Sequence, residues 1–293
     1  MDTKTTEIGS HVVMTGTHRP TRVKYVNIDS RFCDNVSSQS SNSGTATYTI
    51  SFPERLMNIK SLEVISLEFP YTCYNFSQNI GNTQMHLSSD GINYSTIILP
   101  DNQYINIIGL TSALSIITGQ SISSDAYGRC MVDNSKGINP IYVLFDSIGG
   151  TNNGNINSSS RKNLGWKLGF RQNQYTVLPG KSLTSEAFID IAGPKYVYLL
   201  LEDYAQTAPT AFIAQYGEAI GKKQIVSKVP LAGYTFGNFI HANKNHSLLS
   251  TPVRYSGCGV NIKKIQIQLV DEFGTALNIN GLDFSFSLKL EFE

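Results

Sequence analysis

The sequence predicts an all-β protein, a sandwich or a barrel of about ten strands. Segments that suit β-strands are frequent, and clusters of Gly, Asn, Ser and Pro separate them. The chain ends on residues 283–293, in which polar and apolar residues alternate without interruption. Such a period of two is typical of a half-buried strand, because successive side chains leave a strand on opposite faces. A clear helical pattern occurs in one stretch, 106–119.

The strand candidates follow one another along the chain. The segment "GTATYTISF" (44–52) alternates apolar residues with threonine and serine, whereas "IKSLEVISLEF" (59–69) carries apolar residues on both faces. The second pattern is typical of a strand that is covered on both sides. The remaining candidates are 23–28, 85–89, 94–99, 141–145, 186–191, 195–203, 225–231, 260–271 and the terminal 283–293.

The helical candidate has both a period and end signals. Its apolar residues recur at three- and four-residue steps: Ile107, Leu110, Leu114 and Ile117. Asn106 can cap the first turn and Gly119 can end the helix. A weaker pattern in 208–221 predicts two further helical turns.

The organisation of the chain indicates one domain. We find no internal repeat and no linker between two domains. Residues 1–21 show no period and are predicted to form an N-terminal arm. Residues 22–293 are then a single domain, with polar loop insertions near 146–162 and 233–259.

Composition argues against several classes of protein. Charged residues make up 15% of the chain, against about 25% in a typical soluble domain. Lys and Arg total 23 and Asp and Glu total 22, so no overall field favours nucleic acid. The longest apolar run, Tyr196–Leu201, is far below the ~20 residues of a membrane span.

The N-terminal residues "MDTKTTEIGSHVVMTG" lack the apolar core of a secretory signal. We therefore expect synthesis in a cytoplasm, where cysteines stay reduced. The four that we expect to be free thiols are Cys33, Cys73, Cys130 and Cys258.

An acidic cluster precedes the terminal strand and consists of Asp271, Glu272 and Asp283. Gly274 and Asn280-Gly281 supply the left-handed conformations that turns require. The carboxylates do not have the spacing of an EF-hand. A turn is therefore the favoured interpretation, and a calcium site is the alternative.

Other motifs do not support catalysis. "PGKSLT" (179–184) contains Gly-Lys-Ser, but Tyr175 stands where a phosphate loop needs its first glycine. His241 and His246 are five residues apart, not the four that place two metal ligands on one helix face. The sequence predicts no enzyme and no cofactor or metal site.

Trp166, the single tryptophan, lies in "NLGWKLGFR" (163–171), where large residues alternate with Gly165, Lys167, Gly169 and Arg171. The alternation predicts a core strand, whose glycines let another backbone or sheet approach closely. A subunit contact at Trp166 is the alternative.

Six stretches in this order resemble the single jelly-roll capsid proteins of nucleocytoplasmic large DNA viruses, the giant viruses. The stretches are "VNIDSRF" (26–32), "YTISFPERLMNIKSLEVISLEFPYTCYNFS" (48–77), "STIILPDNQYINIIGLTSAL" (95–114), "NLGWKLGFR" (163–171), "KYVYLLLEDY" (195–204) and "IKKIQIQLVDEFGTALNINGLDFSFSLKLEFE" (262–293). The resemblance implies a single jelly-roll sandwich, two antiparallel sheets with Greek-key connections, carrying long loops and one short helix.

The resemblance also implies a function. Proteins of this group are vertex or minor components of icosahedral shells, beside a double jelly-roll major capsid protein. We expect a homopentameric penton of the virion capsid, assembled in the host cytoplasm, with no direct nucleic-acid contact. The alternatives are a minor capsid protein beneath the facets and a lectin-like recognition or host-attachment module. A jelly-roll enzyme of the cupin kind would need a His-x-His pair, which the sequence lacks.

If the chain forms a ring, aromatic and arginine side chains are the expected anchors of its interfaces. The candidates in the 233–259 loop are Tyr234, Phe236, Phe239, Arg254 and Tyr255, joined by Trp166. The alternative is that these side chains fix the loop to its own domain.

Overall fold

The structure is a computed structural model that describes residues 6–8, 11–13, 21–34, 47–146, 160–204, 214–216, 219–220 and 224–292. Antiparallel strands dominate it, and it is all-β as predicted. In chain order its elements are β1 (Thr6–Ile8), β2 (His11–Val13), β3 (Arg22–Asp29), β4 (Thr47–Pro70), β5 (Gln84–Ser88), β6 (Ser95–Ile98), α1 (Ile107–Thr118), β7 (Ser121–Ser124), β8 (Arg129–Asp133), β9 (Ile141–Leu144), α2 (Leu164–Lys167), β10 (Gln174–Val177), β11 (Ser182–Phe188), β12 (Tyr196–Glu202), β13 (Gln215–Tyr216), β14 (Ala219–Ile220), β15 (Ile225–Pro230), β16 (Phe239–Asn243), β17 (Leu249–Ser250), β18 (Val253–Arg254), β19 (Val260–Val270) and β20 (Ser285–Phe292).

The largest sheet has the strand order of a jelly roll. One layer runs β3, β20, the second half of β4, and then β16 with β18. The other layer runs the first half of β4, β19, β12 and β15, with β17 at its edge. We number the eight strands of the jelly roll in chain order, with the halves of β4 as strands 2 and 3 and with β17 and β18 left out: β3 is 1, β12 is 4, β15 is 5, β16 is 6, β19 is 7 and β20 is 8. The two layers are then 1-8-3-6 and 2-7-4-5. That order defines two Greek keys, so the jelly-roll prediction is confirmed.

β4 passes from one layer to the other without a break in its 24 residues. The turn between layers lies at Asn58, whose φ is 57° and whose N–H donates to Asn261 Oδ1 at 2.9 Å. Asparagine tolerates this left-handed conformation better than most residues. The pairing with β19 shifts register at the same place. The sequence prediction had two strands here, 44–52 and 59–69, because the pattern cannot show that a strand continues through a bend.

The two layers enclose one apolar core. Its members come from residues 28–73 and 197–290, and the terminal strand contributes Phe286, Leu288 and Leu290, each at most 1% exposed. β20 is an inner strand, since β3 pairs with it on one side and β4 on the other. The prediction of a half-buried terminal strand is therefore confirmed.

A second core lies in the connection between β4 and β12. Its buried members all come from residues 76–189. They are covered by a four-stranded sheet in the order β10-β9-β5-β6, a three-stranded sheet in the order β11-β8-β7, and helix α1. Helix α1 confirms its prediction at both ends: Asn106 Oδ1 accepts from Gly109 N–H at 2.6 Å, and Gly119 is left-handed with φ 66°.

The structure corrects three sequence-based predictions of local structure. Residues 164–167 form helix α2 rather than a strand, with Asn163 Oδ1 accepting from Trp166 N–H at 2.9 Å. The segment 233–259 is not one loop, because β16, β17 and β18 lie in it. In 208–221 the described residues include β13 and β14 instead of helical turns.

The close approach expected at the glycines of 163–171 is confirmed. A Cβ on Gly169 would lie 2.0 Å from the carbonyl oxygen of Ala187. One on Gly165 would lie 2.4 Å from Phe145 Cγ. Larger side chains would therefore clash with the segments that pack here.

The limits of arm, domain and insertions remain a prediction. Within the predicted arm, 1–21, the structure describes β1, β2 and residue 21, and β1 pairs with β2. Most of the predicted insertion 146–162 lies outside the described residues.

Candidate subunit interface

The six residues predicted as subunit contacts lie in different places. Phe239 is 63% exposed on β16, Arg254 is exposed at the end of β18, and Tyr234 is half-buried against the jelly-roll core. These three side chains and Phe236, which is 40% exposed, belong to the jelly roll. Trp166 belongs to the second core's segment. The six therefore do not form one continuous contact surface around the 233–259 segment.

Tyr255 acts within the fold. Its ring is buried and its hydroxyl donates to Asp203 Oδ2, which is also buried. Burial, followed by the Asp203 carboxylate, raises the pKa of Tyr255. The side chain links the end of β18 to the end of β12 within the chain.

Trp166 also has a partner inside the chain. The Arg171 guanidinium lies over its ring, 4.0 Å from the centroid, and Arg171 Nη1 donates to the Trp166 carbonyl at 3.1 Å. The stacked pair fixes α2 to the connection that leads into β10. Trp166 remains partly exposed along a cleft between the two cores.

The two cores are joined through Asn75, which is 1% exposed. Its Nδ2 donates to the carbonyls of Tyr104 at 2.8 Å and Ile191 at 2.7 Å, and its Oδ1 accepts from Tyr104 N–H at 2.9 Å. Its carbonyl accepts from Asn82 Nδ2 at 2.8 Å. One side chain thus ties together the beginning and the end of the segment that carries the second core.

We call the place where Asn75 meets Tyr104 and Ile191 the junction. The acidic cluster is a turn on one side of it. Asp271 Oδ1 accepts from the N–H groups of Phe273 at 2.9 Å and Thr275 at 2.8 Å. Asp283 accepts instead from Ser30 Oγ at 2.8 Å. The turn interpretation is confirmed, and no cluster of metal-ligating side chains is found among the described residues.

Burial makes this turn unusual in its ionisation. Asp271 is 4% exposed, and its burial raises its pKa to about 6, although the two N–H donors oppose the shift. Burial also raises the pKa of Glu272, although the hydrogen bond that Glu272 accepts from the Lys195 N–H at 3.3 Å lowers it. The cleft beside these carboxyls is lined by Arg161, Lys162 and Lys167. Lys167 donates to Asp190 at 3.1 Å.

The phosphate-loop fragment has a different role. Gly180, with φ 73°, lies in the turn between β10 and β11. A strand rather than a helix follows it, so no helix N-terminus is available there for a phosphate.

An apolar groove lies on the other side of the junction, and it includes two of the predicted contact residues. Its volume is about 730 Å³. Tyr234 and Phe236 line it from the jelly roll, and Tyr104, Ile105 and Ile191 line it from the connection between β4 and β12. The Phe236 ring stacks on Tyr74 at 5.8 Å between centroids, with 13° between the planes. Among the described residues that line the groove, Lys195 is the one charged side chain.

The sequence-based prediction missed the exposed isoleucines around the first helix. Ile105 is 81% exposed, Ile108 72% and Ile116 82%. A signal was present in the sequence, because residues 102–124 contain no charged side chain in 23 positions. Charge depletion on an exposed apolar surface is typical of an interface.

Comparison with known proteins finds similarity among solved structures. No family model matches the chain, and no curated protein matches it. Among solved structures, the crystal structure of the selenomethionine-labelled mavirus penton protein is similar to it, with 9% sequence identity and a TM-score of 0.43. The match covers 93% of this chain and 99% of that one. This likeness is too weak to establish a shared fold or function, and the jelly-roll assignment rests on the strand order of the chain itself.

No described helix is long and apolar enough to cross a membrane.

Proposed function

We propose that the chain is a structural subunit of an icosahedral viral capsid, and that it forms the homopentameric penton at the fivefold vertices. The observation that carries the proposal is the jelly-roll strand order, 1-8-3-6 facing 2-7-4-5. It supports the resemblance of six stretches in order to single jelly-roll capsid proteins of large DNA viruses. A jelly roll alone hosts many functions, so the surface must also suit assembly.

The surface has the features that assembly needs. Among the strands that the structure describes, β3 is an edge strand of eight residues that pairs only with β20. Val23 is 47% exposed on it and Tyr25 66%. A long unpaired edge with exposed apolar side chains is a ready contact for another chain. Phe236 and Phe239 add aromatic side chains of the kind enriched in interfaces.

A penton at a vertex would contact the major double jelly-roll capsid protein through its outer sides and copies of itself around the ring. Such a ring uses head-to-tail interfaces, because a rotation of one fifth of a turn brings different surfaces together. The function would then be to close the vertex by its shape and its contacts, which needs no catalytic residue. Arg254 and Phe239 are the more accessible of the proposed contacts, because both are exposed, whereas Tyr255 is buried and bonds to Asp203 of its own chain.

The native mass of the purified chain, measured by sedimentation and native mass spectrometry over a wide concentration range, tests this proposal. We expect a discrete pentamer in equilibrium with the 32.2 kDa monomer. A monomer at every concentration would contradict the vertex assignment. It would favour a minor capsid protein that assembles only on the shell, and binding of glycans by that monomer would favour a recognition module.

A further inference from the structure

The outer face of helix α1 is a second surface without an internal partner. Ile108, Ser112 and Ile116 are exposed and lie four residues apart, so they share one face of the helix. We call this face the α1 ridge. Leu110 and Leu114, both fully buried, anchor the opposite face in the second core. A surface helix normally carries charged residues on its outer face, but α1 and its flanks carry none from 102 to 124.

The apolar groove between the two cores is the matching concave surface. Its lining comes from Tyr71 and from residues within 103–105, 191–195 and 231–236. Leu231 and Tyr104 form buried parts of it, and Ala232 is exposed on its wall. The ridge carries no charged side chain and the groove lining carries one, Lys195, so both surfaces are mainly apolar, and the ridge is convex where the groove is concave.

The groove is poorly suited to a polar small molecule. A ligand pocket normally offers a few polar groups that converge on the ligand. Here Gln103 Oε1 already accepts from Asn75 N–H at 3.1 Å, and Tyr104 donates its hydroxyl to the Pro100 carbonyl at 3.3 Å. The occupant that the groove fits is an uncharged apolar protein surface, and the chain itself carries one.

We infer that the α1 ridge of one copy docks in the apolar groove of the next copy. This inference rests on the proposed function, because a contact between two different surfaces closes a ring when the rotation is right. It deepens that proposal by naming the two surfaces of the ring contact. The buried centre of the contact consists of Ile108 and Ile116 on one side and Ala232, Tyr234 and Phe236 on the other.

Two charge insertions test the contact, one on each surface. Ile116→Glu places a carboxylate on the ridge, and Ala232→Glu places one in the groove. Both positions are exposed, so far-UV circular dichroism and the melting temperature should match those of the wild type. We expect each variant to raise the dissociation constant of the oligomer by at least about tenfold in sedimentation.

Ile138→Glu is the matched control. Ile138 is 91% exposed in the connection between β8 and β9, outside both surfaces. It receives the same change of side chain as Ile116, so a general effect of added charge would appear equally in both variants. We expect the control to assemble as the wild type does.

A mixture of the two variants tests the pairing itself. Each Ile116→Glu copy keeps an intact groove, and each Ala232→Glu copy keeps an intact ridge. Their mixture can form one intact ridge–groove contact per pair, and we expect a species of two chains that neither variant forms alone. A mixture that stays monomeric would overturn the pairing of these two surfaces.

The outcomes separate this inference from the proposed function. If the wild type forms a pentamer that both insertions leave unchanged, the ridge–groove contact is wrong and the penton proposal stands. If the wild type is a monomer or a closed dimer, both are overturned. If the Ile138→Glu control dissociates as strongly as Ile116→Glu, the contact is also overturned, because charge alone then explains the loss.

Discussion

Two aspartates accept similar backbone hydrogen bonds, yet their pKa values are shifted in opposite directions. Asp271 Oδ1 accepts two backbone N–H groups in its turn, those of Phe273 and Thr275. Asp90 Oδ1 does the same with Ile92 and Asn93, both at 2.8 Å. Hydrogen bonds from these backbone groups lower the pKa of Asp90, which is exposed. Burial reverses the direction at Asp271 and raises its pKa to about 6.

The first prediction concerns the pH dependence of stability at Asp271. A carboxyl with a raised pKa binds its proton more tightly in the folded state. Its contribution is therefore fully present below the ordinary pKa near 3.8 and is lost as the pH rises to about 6. We expect Asp271→Asn to remove this loss. Relative to the wild type, its free energy of unfolding should gain up to about 3 kcal/mol between pH 4 and pH 7, measured by urea denaturation.

Asp90→Asn is the matched control with the opposite sign. The lowered pKa of Asp90 means that its stabilising contribution is present above pH 4 and is lost as the pH falls. The asparagine variant should therefore lose stability relative to the wild type as the pH rises to about 4. Between pH 4 and pH 7 its stability relative to the wild type should stay nearly constant. If both variants changed in the same direction, burial would not be the cause of the Asp271 shift.

The turn at Asp271 could be predicted from the sequence, whereas its burial could not. Gly274 and Asn280-Gly281 are local turn signals. The burial of Asp271 comes instead from residues far along the chain, since the cleft beside it is lined by Asn75, Lys162 and Lys167. No local pattern in the sequence records that proximity.

At the scale of elements, long periodic segments were predictable and short ones were not. β20 and α1 each carry several repeats of their period, and both were predicted correctly. α2 was predicted as a strand because Leu164 and Leu168 fit a step of two as well as a step of four. β17 and β18 have two residues each, too few to show any period.

The second prediction tests which face of β20 is buried. Phe286 is 0% exposed in the jelly-roll core, whereas its neighbour Ser287 points outward and donates to Asn27 Oδ1 at 3.1 Å. A lysine at 286 would bury an unpaired charge, which costs several kcal/mol. Since the total stability of a domain is about 5–15 kcal/mol, we expect Phe286→Lys to prevent folding of the jelly roll.

Ser287→Lys is the control for that experiment. Its side chain can reach solvent on a face that also carries Glu63 and Glu291. We expect its free energy of unfolding to stay within about 0.5 kcal/mol of the wild type. Near-UV circular dichroism and urea denaturation measure both variants. A folded Phe286→Lys protein would contradict the register of β20 between β3 and β4.

At the scale of the whole molecule, the sequence predicted the jelly roll but not the second core. The jelly roll was accessible because its strands carry strong patterns and because the six resembling stretches follow its order. The second core was not, since β5 to β11 have at most seven residues each. Their residue patterns fit further strands of a single sandwich as well as they fit a separate core. Only the pairing of strands shows that they form sheets of their own.

Two cores in one chain predict two unfolding events. The segment that carries the second core leaves the jelly roll and rejoins it at neighbouring positions, because Asn75 Nδ2 donates to the Ile191 carbonyl at 2.7 Å. The buried residues of the jelly-roll core all lie in 28–73 and 197–290, and those of the second core all lie in 76–189. Each core is therefore held together by many contacts among its own residues. Among the described residues, the links between the cores lie around the junction, where Asn75 bonds to Ile191 and Asn79 Nδ2 donates to the Ala276 carbonyl at 2.9 Å. We expect two transitions in calorimetry of the full chain.

Matched core truncations assign the transitions. Leu288 and Leu114 are both 0% exposed, the first in the jelly-roll core and the second in the core of residues 76–189. Leu→Ala at such sites costs about 2–5 kcal/mol. Leu288→Ala should lower the temperature of one transition and Leu114→Ala that of the other. A single transition that both variants lower equally would contradict independent cores and would instead favour the single domain over 22–293 that the sequence predicts.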